Sequence, residues 1–291
     1  MPDVVNKNNA AEIRAGVIGW PIEHSRSPLI HQFWLRTYGI TQGRYEAIAI
    51  KPDDIESALN DMRAQDYAGV NVTVPHKIAV FDYVQKYGKL DKAAHHLGAV
   101  NTLVFTHDNV IGYNTDGVGF IAGLQSQTPT WQVGPVVIIG AGGAARAVIG
   151  ALADSGVSFF SVVNRTLSKG QAIMDDLGVA GDVLSFGDKE RLSSCLTNAS
   201  LLVNTSTLGM TGAPPLEFDI AMLPREAVVC DVVYTPLETP LLQAAAARGL
   251  RVVDGLGMLL HQAVPGFEAW FGVHPEVTEE LRRHIIDRLS L

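Results

Sequence analysis

The chain has little cysteine and no long apolar run. Its only two cysteines, Cys195 and Cys230, have no metal-ligand spacing and cannot form a disulfide framework, which predicts no metal site and a reducing, cytoplasmic setting. No stretch of about 18 uncharged apolar residues is present, which argues against a membrane-spanning helix. The first dozen residues lack the hydrophobic core of a signal peptide, and we expect them to form a frayed tail.

Basic residues are also scarce. The chain has 22 lysines and arginines against 30 acidic residues, a net charge of −8, and this excludes the basic footprint of a nucleic-acid-binding protein. Anions can still bind at local positive sites such as helix N-termini. The 47% apolar and 18% charged residues are typical of a globular enzyme, and a length of 291 residues predicts two domains.

Glycines are concentrated at one informative place. The β-branched run Val136–Ile139 leads into the pattern Gly-x-Gly-x-x-Ala, formed by Gly140, Gly142 and Ala145, and a helix-like stretch follows. Gly140 permits a tight turn, Gly142 lets a pyrophosphate approach the backbone, and Ala145 lets the helix pack close to the strand. The first N–H groups of a helix have no internal partners and attract phosphate. The pattern predicts a dinucleotide-binding loop made of Gly140, Ala141, Gly142, Gly143 and Ala144.

A carboxylate is missing where an NAD site usually has one, about 20 residues further on, at the end of the next strand. The predicted strand Val157–Val163 ends instead in Asn164, Arg165 and Thr166. A guanidinium can pair with a ribose 2′-phosphate in a forked geometry, and two hydrogen-bonding residues flank it here. We therefore predict NADP(H) as the cofactor; the alternative is that Arg165 is a solvated loop charge.

Strand-like and helix-like stretches alternate over the N-terminal part, which predicts an α/β sheet. The strand-like stretches are Ala15–Gly19, Tyr45–Ile50, Gly69–Val74, Val100–Phe105 and Val110–Tyr113, the last two forming a hairpin. The helix-like stretches are Pro28–Tyr38, the segment that Pro52 opens, and His76–Tyr87.

The second half of the chain shows a more regular alternation. From about Trp131 to Asp254, helix-like stretches separate apolar strands at Val136–Ile139, Phe159–Val163, Leu201–Val203, Val228–Val233 and Arg251–Val253. This spacing predicts a Rossmann-like doubly wound parallel sheet. The tail from Gly257 is predicted to be helical, with its last helix starting at Pro275.

Ligands of open α/β sheets bind at the carboxyl ends of the strands, so polar residues at such ends are candidates for chemistry. Lys77 follows the strand Gly69–Val74 at a helix start, where its ammonium could stabilise or protonate an alkoxide. The alternative is an ordinary exposed lysine. His76 is a rival acid–base candidate. Asp116 could pair with Lys77, or it could simply cap a helix with its neighbours Asn114 and Thr115.

Hydroxyl and amide side chains stand at several other turns. Ser25 and Ser27 lie between the first strand and the first helix and could bind a carboxylate, or Ser27 could cap the helix before Pro28. Asn101 is either a ligand or a turn residue. Tyr234 follows a buried strand, and Gln262, in an apolar helix, either makes a buried hydrogen bond or faces a ligand.

These segments, in this order, resemble the shikimate dehydrogenase family over nearly the whole chain, from about Ala15 to the C-terminal helix. The resemblance is carried by Val17–Gly19, Ser25–Pro28, Asn71–Lys77, Gly98–Thr102, Gly112–Gly117, Gly140–Arg146, Asn164–Thr166, Asn204–Thr205 and Asp254–Ala263. It implies a second α/β domain, a substrate domain built from residues 1–115 and 255–291, with an NADP-binding domain of residues 116–254 inserted.

The resemblance also implies an activity: reversible reduction of 3-dehydroshikimate to shikimate by hydride transfer from NADPH, in aromatic amino-acid biosynthesis. In the family pattern Lys77 and Asp116 form the catalytic dyad, and which of them delivers the proton is open. The substrate carboxylate would bind Ser25, Ser27 and Tyr234, and the ring hydroxyls would bind or be supported by Asn71, Thr73, Asn101 and Gln262. The 2′-phosphate would be held by Asn164, Arg165 and Thr166, and the nicotinamide would lie near Gly255.

Three alternatives remain at this point. The quinate/shikimate dehydrogenase branch often prefers NAD, but Ser25, Ser27 and Arg165 argue against it. A non-catalytic nucleotide sensor is disfavoured because Lys77 and Asp116 are both present. A different reductase with the same nucleotide domain is disfavoured by the N-terminal motifs. We expect a small-molecule substrate and a monomer or homodimer.

Overall fold

The computed structural model describes residues 12–289, so most of the predicted N-terminal tail lies outside it. The chain divides into two compact units. The first comprises the described residues up to Asn114 together with Ala263–Ile285, and the second comprises Thr115–Gln262 together with the described residues after Ile285. Each unit is built around its own sheet.

The first unit begins with alternating strands and helices. They are β1 (Ile13–Gly19), α1 (Ser27–Thr37), β2 (Gly43–Ala49), α2 (Ile55–Ala64), β3 (Tyr67–Val72), α3 (Lys77–Tyr87), β4 (Lys89–Leu90), α4 (Lys92–Leu97), β5 (Thr102–Phe105) and β6 (Val110–Tyr113). The strand order is β2-β1-β3-β5-β6-β4. β1 pairs in parallel with β2 and β3, whereas β5 is antiparallel to both β3 and β6, which confirms the predicted hairpin.

The second unit is a parallel sheet wound in both directions. Its elements are α5 (Asp116–Gln127), β7 (Val136–Ile139), α6 (Gly143–Asp154), β8 (Phe160–Val163), α7 (Leu167–Leu177), β9 (Gly181–Leu184), α8 (Lys189–Thr197), β10 (Leu201–Asn204), β11 (Val228–Asp231), α9 (Pro240–Ala247), β12 (Arg251–Val253) and α10 (Gly255–His261). The order β12-β11-β10-β7-β8-β9, parallel throughout, confirms the predicted Rossmann-like fold.

Burial explains which strands the sequence reveals. Every residue of β7, β8, β10 and β11 is buried, because helices cover both faces of a parallel sheet, and such strands are continuous apolar runs. The edge strand β9 is absent from the sequence prediction. It starts at an exposed glycine, and of its residues only Leu184 is buried, so it has no continuous apolar run to reveal it.

The tail forms α11 (Val264–Phe271) and α12 (Glu279–Ile286). The predicted start of the last helix at Pro275 is wrong, because Thr278 supplies a better N-terminus. Its hydroxyl accepts a hydrogen bond from the N–H of Leu281 at 3.2 Å, and two acidic residues fill the first turn, where they complement the helix dipole. No helix in residues 12–289 is both long and apolar enough to span a membrane.

The boundaries of the two units differ from the predicted domain limits around α10. The expected boundary lies before Gly255, whereas α10 packs against α5, within the second unit, and the boundary falls after Gln262. The reason is a close helix contact through glycine. A Cβ on Gly123 would lie 2.7 Å from the carbonyl carbon of Gly257 and from the nitrogen of Met258.

We expect Gly123→Ala to lower the free energy of unfolding by about 1–3 kcal/mol, because the added methyl group must push two backbones apart. Urea denaturation measures the loss. Gly143→Ala is the matched control: it too removes a helical glycine, but its new Cβ meets nothing within 4 Å. Equal effects of the two substitutions would contradict the close contact.

Candidate active site

Lys77 is the first residue of α3 and is half-buried. Its main-chain carbonyl accepts a hydrogen bond from the N–H of Val100 at 3.0 Å, and the next residue, Asn101, is tied to β3 because its carbonyl accepts from the N–H of Val72 at 2.7 Å. The backbone thus brings Lys77, Asn101 and the end of β3 into one neighbourhood. Thr73, directly after β3, is half-buried at the same end.

His76 has a structural role and is not a rival acid–base group. Its side chain is 1% exposed, and its Nε2 lies 2.8 Å from the main-chain carbonyl of Ile50. A carbonyl can only accept, so that nitrogen carries the proton and donates it. The imidazole is therefore engaged in holding the turn before α3.

A chain of buried hydrogen bonds crosses the first unit beside Lys77. The Tyr45 hydroxyl donates to Asn71 Oδ1 at 2.6 Å, Asn71 Nδ2 donates to Thr102 Oγ1 at 3.1 Å, and the Thr102 hydroxyl donates to Asn101 Oδ1 at 3.0 Å. All four side chains are at most 4% exposed. The sequence prediction includes Asn71 and Asn101 but misses Tyr45 and Thr102, because pairs across different strands leave no mark in the sequence.

His31 is a further buried polar residue that the sequence prediction misses. Its ring is completely buried and stacks on Tyr45, with centroids 3.9 Å apart and planes 4° from parallel. Neither ring nitrogen has a hydrogen-bond partner within residues 12–289. Burial lowers the pKa of His31 from 6.5 to about 3, and the nearby Asn71 side chain only partly offsets this. The imidazole is neutral at physiological pH.

The low pKa of His31 makes stability depend on pH. The unfolded chain binds a proton with pKa 6.5 and the folded chain only near 3, so stability is complete above pH 6.5 and falls as the pH falls towards 3. Between pH 7 and pH 5 the loss is about 2 kcal/mol. His31→Phe keeps an aromatic stack and should remove this loss in urea denaturation at the two pH values, whereas the exposed His107→Phe should not. If the free energy of unfolding of His31→Phe fell between pH 7 and pH 5 as much as that of the unsubstituted protein, His31 would not be the source of the loss.

Ser25 and Ser27 lie at the start of α1. Ser27 is the first helical residue and is buried, so it does not cap the helix, and Arg26 in the cap position makes no side-chain cap bond. The N–H of Ser27 donates to Ser25 Oγ at 3.4 Å, and the Ser27 side chain is near enough to the Tyr45 hydroxyl to oppose the rise that burial causes in its pKa. The two serines therefore adjoin the buried chain of hydrogen bonds.

The glycine-rich loop of the second unit has the geometry that a pyrophosphate needs. Gly140 has φ +106°, which favours glycine. Gly142 is the N-cap residue of α6, and it has no side chain that could hydrogen-bond the first N–H groups of the helix. A Cβ on Gly142 or Gly143 would meet nothing within 4 Å, so this side of the loop is open and the helix N-terminus is available. Ala141 and Ala144 are half-buried beside them.

The residues after β8 also suit the predicted phosphate. Asn164 Nδ2 donates to the main-chain carbonyl of Thr166 at 2.8 Å, which closes a tight turn around Arg165. Arg165 and Thr166 are exposed at the carboxyl end of β8. The donors present are cationic or neutral, and these residues fit the 2′-phosphate of NADP(H).

A second buried network orders the loops that follow β10 and β11. The carboxylate of Asp231, which is 0% exposed, accepts from Thr239 Oγ1 at 2.7 Å and from Asn204 Nδ2 and the N–H of Val233 at 3.0 Å each. Burial raises the pKa of Asp231, and these hydrogen bonds oppose the rise. The network holds the segment that carries the half-buried Tyr234. Sequence reasoning does not single out Asp231.

Three remaining candidates lie on or beside α5 and α10: Asp116 and Gln262 at the start of α5 and the end of α10, and Gly255 at the opposite end of α10. Asp116 is the first residue of α5, and the preceding Thr115 makes no cap bond; its hydroxyl donates to the main-chain carbonyl of Gln262 at 2.8 Å. Gln262 Nε2 donates to the carbonyl of Leu259 at 3.1 Å. Gly255 starts α10, and a Cβ there would lie 2.2 Å from the carbonyl oxygen of Val232. The interpretation of Thr115 as a side-chain cap is therefore wrong.

One unit is of the Rossmann type, with an open phosphate loop and an arginine after its second strand. The other is an α/β unit with a half-buried lysine beside buried amides. Together these features define the class of nicotinamide-nucleotide-dependent oxidoreductases. Within residues 12–289, no group of three or more His, Cys, Asp or Glu could hold a metal ion.

Comparison with known proteins identifies the family. Residues 17–103 match the shikimate dehydrogenase substrate binding domain, residues 123–211 match shikimate / quinate 5-dehydrogenase, and residues 255–280 match the shikimate 5′-dehydrogenase C-terminal domain. Shikimate dehydrogenase (NADP(+)) of Methylocella silvestris is 50% identical over 277 residues, covering 94% of this chain and 96% of the relative. The one from Mesorhizobium japonicum is 51% identical over 274 residues, covering 94% and 95%. The chain belongs to the shikimate dehydrogenase family, as the sequence resemblance predicts.

Solved structures agree with this assignment. Shikimate 5-dehydrogenase from Thermus thermophilus, in complex with NADP(H) and shikimate, has a TM-score of 0.81 at 33% identity, covering 94% of this chain and 99% of that one. Quinate dehydrogenase from Corynebacterium glutamicum, in complex with NAD, has a TM-score of 0.85 at 31% identity, covering 97% and 100%. The fold is therefore shared by a shikimate 5-dehydrogenase with bound NADP(H) and a quinate dehydrogenase with bound NAD.

Proposed function

We propose that the protein catalyses the reversible, NADPH-dependent reduction of 3-dehydroshikimate to shikimate, as a step of aromatic amino-acid biosynthesis. The observation that carries this proposal is the 50% identity over 94% of the chain to a shikimate dehydrogenase that uses NADP(+). The exposed Arg165 at the end of β8, where NAD sites usually have a carboxylate, supports the choice of NADP(H).

In this proposal the second unit, with limits near the predicted residues 116–254, binds the cofactor. The loop from Gly140 to Ala144 and the N-terminus of α6 hold the pyrophosphate, and Asn164, Arg165 and Thr166 hold the 2′-phosphate. Gly255 lets the backbone lie close to the nicotinamide. When bound, NADPH supplies the hydride that the reduction needs.

Lys77 and Asp116 are the proposed catalytic pair. The Lys77 ammonium stabilises the negative charge that develops on the carbonyl oxygen. Asp116 balances the charge of Lys77 and takes part in moving the proton. The family pattern supports both roles.

The substrate is held by the remaining polar residues. Its carboxylate binds Ser25, Ser27 and Tyr234, and its ring hydroxyls are bound or supported by Asn71, Thr73, Asn101 and Gln262. We also propose that the protein acts in the cytoplasm as a monomer or homodimer and does not bind nucleic acid, in keeping with its two cysteines and net charge of −8.

Initial rates with shikimate and quinate, each with NADP+ and NAD+, test the proposal. We expect kcat/KM to be highest for shikimate with NADP+, by about tenfold or more over the other three pairs. The quinate-oxidising, NAD-dependent alternative deserves the comparison because a quinate dehydrogenase with bound NAD shares the fold. A preference for quinate with NAD+ would support that alternative and contradict the proposal.

A further inference from the structure

The buried hydrogen bonds beside Lys77 have a direction. Reading from Tyr45, a hydroxyl donates to an amide oxygen, the amide nitrogen of Asn71 donates to a hydroxyl, and the hydroxyl of Thr102 donates to the amide oxygen of Asn101. An amide has an accepting end and a donating end. Because Thr102 engages Oδ1 of Asn101, the other end of this amide is its two-proton donor, Nδ2.

The reverse arrangement, with both amides turned over, is opposed by one main-chain group. Asn71 Nδ2 also faces the carbonyl oxygen of Asn101 at 3.5 Å. A carbonyl can only accept, so turning Asn71 over would place two oxygens against each other. The Thr102 hydroxyl accepts from Asn71 Nδ2 and donates its one proton to Asn101 Oδ1, and this is the orientation of the Asn101 amide that the structure has.

Tyr45, the first residue in this chain of hydrogen bonds, is held in place by its neighbours. Tyr45 is 4% exposed, and the imidazole of His31 stacks flat against its ring. Burial raises the pKa of the Tyr45 hydroxyl well above its usual value, although the Ser27 side chain opposes the rise. The hydroxyl therefore keeps its proton, and its bond to Asn71 remains a donated one.

We propose that Tyr45 and Thr102 are positioning residues that present the amide nitrogen of Asn101, rather than its oxygen, to a hydroxyl oxygen of the substrate. The proposal rests on the proposed function, in which Asn101 is a substrate ligand. It makes the site selective for a ring that offers an acceptor there. Neither Tyr45 nor Thr102 needs to touch the substrate.

Matched substitutions at Thr102 test this role. Thr102→Val keeps the shape and removes the hydroxyl, so the amide of Asn101 is no longer held in one orientation. We expect the KM for shikimate to rise about tenfold, the value of one hydrogen bond of ordinary strength, with the KM for NADP+ unchanged. Thr102→Ser retains the hydroxyl and should restore the KM for shikimate to within about threefold of the original.

Tyr45→Phe provides an independent test of the same role, and Tyr83→Phe is its control. Tyr45→Phe leaves Asn71 Oδ1 without its donor and should raise the KM for shikimate in the same way. Tyr83 is also buried and donates to Asn60 Oδ1 at 2.9 Å, on another part of the first unit; its loss should affect only the melting temperature. Melting temperatures of all variants separate folding from binding.

The outcomes distinguish this inference from the proposed function. A selective rise in the KM for shikimate, rescued by serine, supports the positioning role. An unchanged KM in Thr102→Val and Tyr45→Phe, or a failure of serine to rescue, overturns it while shikimate oxidation by the unsubstituted protein leaves the proposed function intact. If the unsubstituted protein does not oxidise shikimate, the proposed function fails, and this inference fails with it.

Discussion

Replacing Lys77 with alanine should reduce kcat for shikimate oxidation by about 10³-fold, because it removes the cation that stabilises the developing charge on the reacting oxygen. The dissociation constant of NADPH should stay nearly unchanged, since the proposed cofactor site lies in the second unit. Steady-state kinetics and a fluorescence titration with NADPH measure the two quantities. The combination separates chemistry from cofactor binding.

Lys86→Ala is the control for this substitution. Lys86 lies on the same helix, α3, but is exposed and pairs with Glu56 at 3.0 Å. Its removal should leave kcat within about twofold, as expected for an exposed ion pair. If Lys77→Ala kept turnover close to that of Lys86→Ala, Lys77 would have no part in the chemistry.

Replacing Arg165 with alanine should raise the KM for NADP+ by about 30- to 100-fold and leave the KM for NAD+ nearly unchanged. The reason is that only NADP+ carries the 2′-phosphate, and a charge-assisted hydrogen bond to it contributes about 2–3 kcal/mol. Initial rates at saturating shikimate with each cofactor measure the effect. The cofactor preference should therefore weaken or reverse.

A second arginine of the same unit provides the control for this experiment. Arg191 is exposed and pairs with Asp182 at 3.0 Å, outside the phosphate loop. Arg191→Ala should change neither KM. If the KM values for NADP+ and NAD+ rose together in Arg165→Ala, Arg165 would support the general shape of the site instead of recognising the phosphate.

Much of the second unit can be predicted because its signals are local. Strands covered on both faces are continuous apolar runs, and the turn at Gly140 requires a backbone conformation that favours glycine. Arg165 follows the next strand along the chain, β8, so its position can also be predicted from local signals. The edge strand β9 is not predicted, because its partial exposure leaves no continuous apolar run. The start of α12 at Glu279 is not predicted either, because Thr278 caps the helix where the sequence suggests a start at Pro275.

The candidate site was predictable only in part, because its contacts join distant parts of the chain. Tyr45, Asn71 and Thr102 lie on separate strands, and only the sheet brings them together. The spacing around Asp116 supports a catalytic residue and a helix cap equally, and only the family resemblance favours the catalytic role. The His76 side chain looked available in the sequence, but the carbonyl of Ile50 engages it.

The most direct test follows the hydrogen that is transferred. Shikimate that carries deuterium on the carbon bearing the reacting hydroxyl is incubated with the protein and NADP+, and the NADPH formed is analysed by mass spectrometry. The account predicts that the deuterium appears in the nicotinamide ring of NADPH, with 3-dehydroshikimate as the other product. Loss of the deuterium to water, or no NADPH at all, would contradict it.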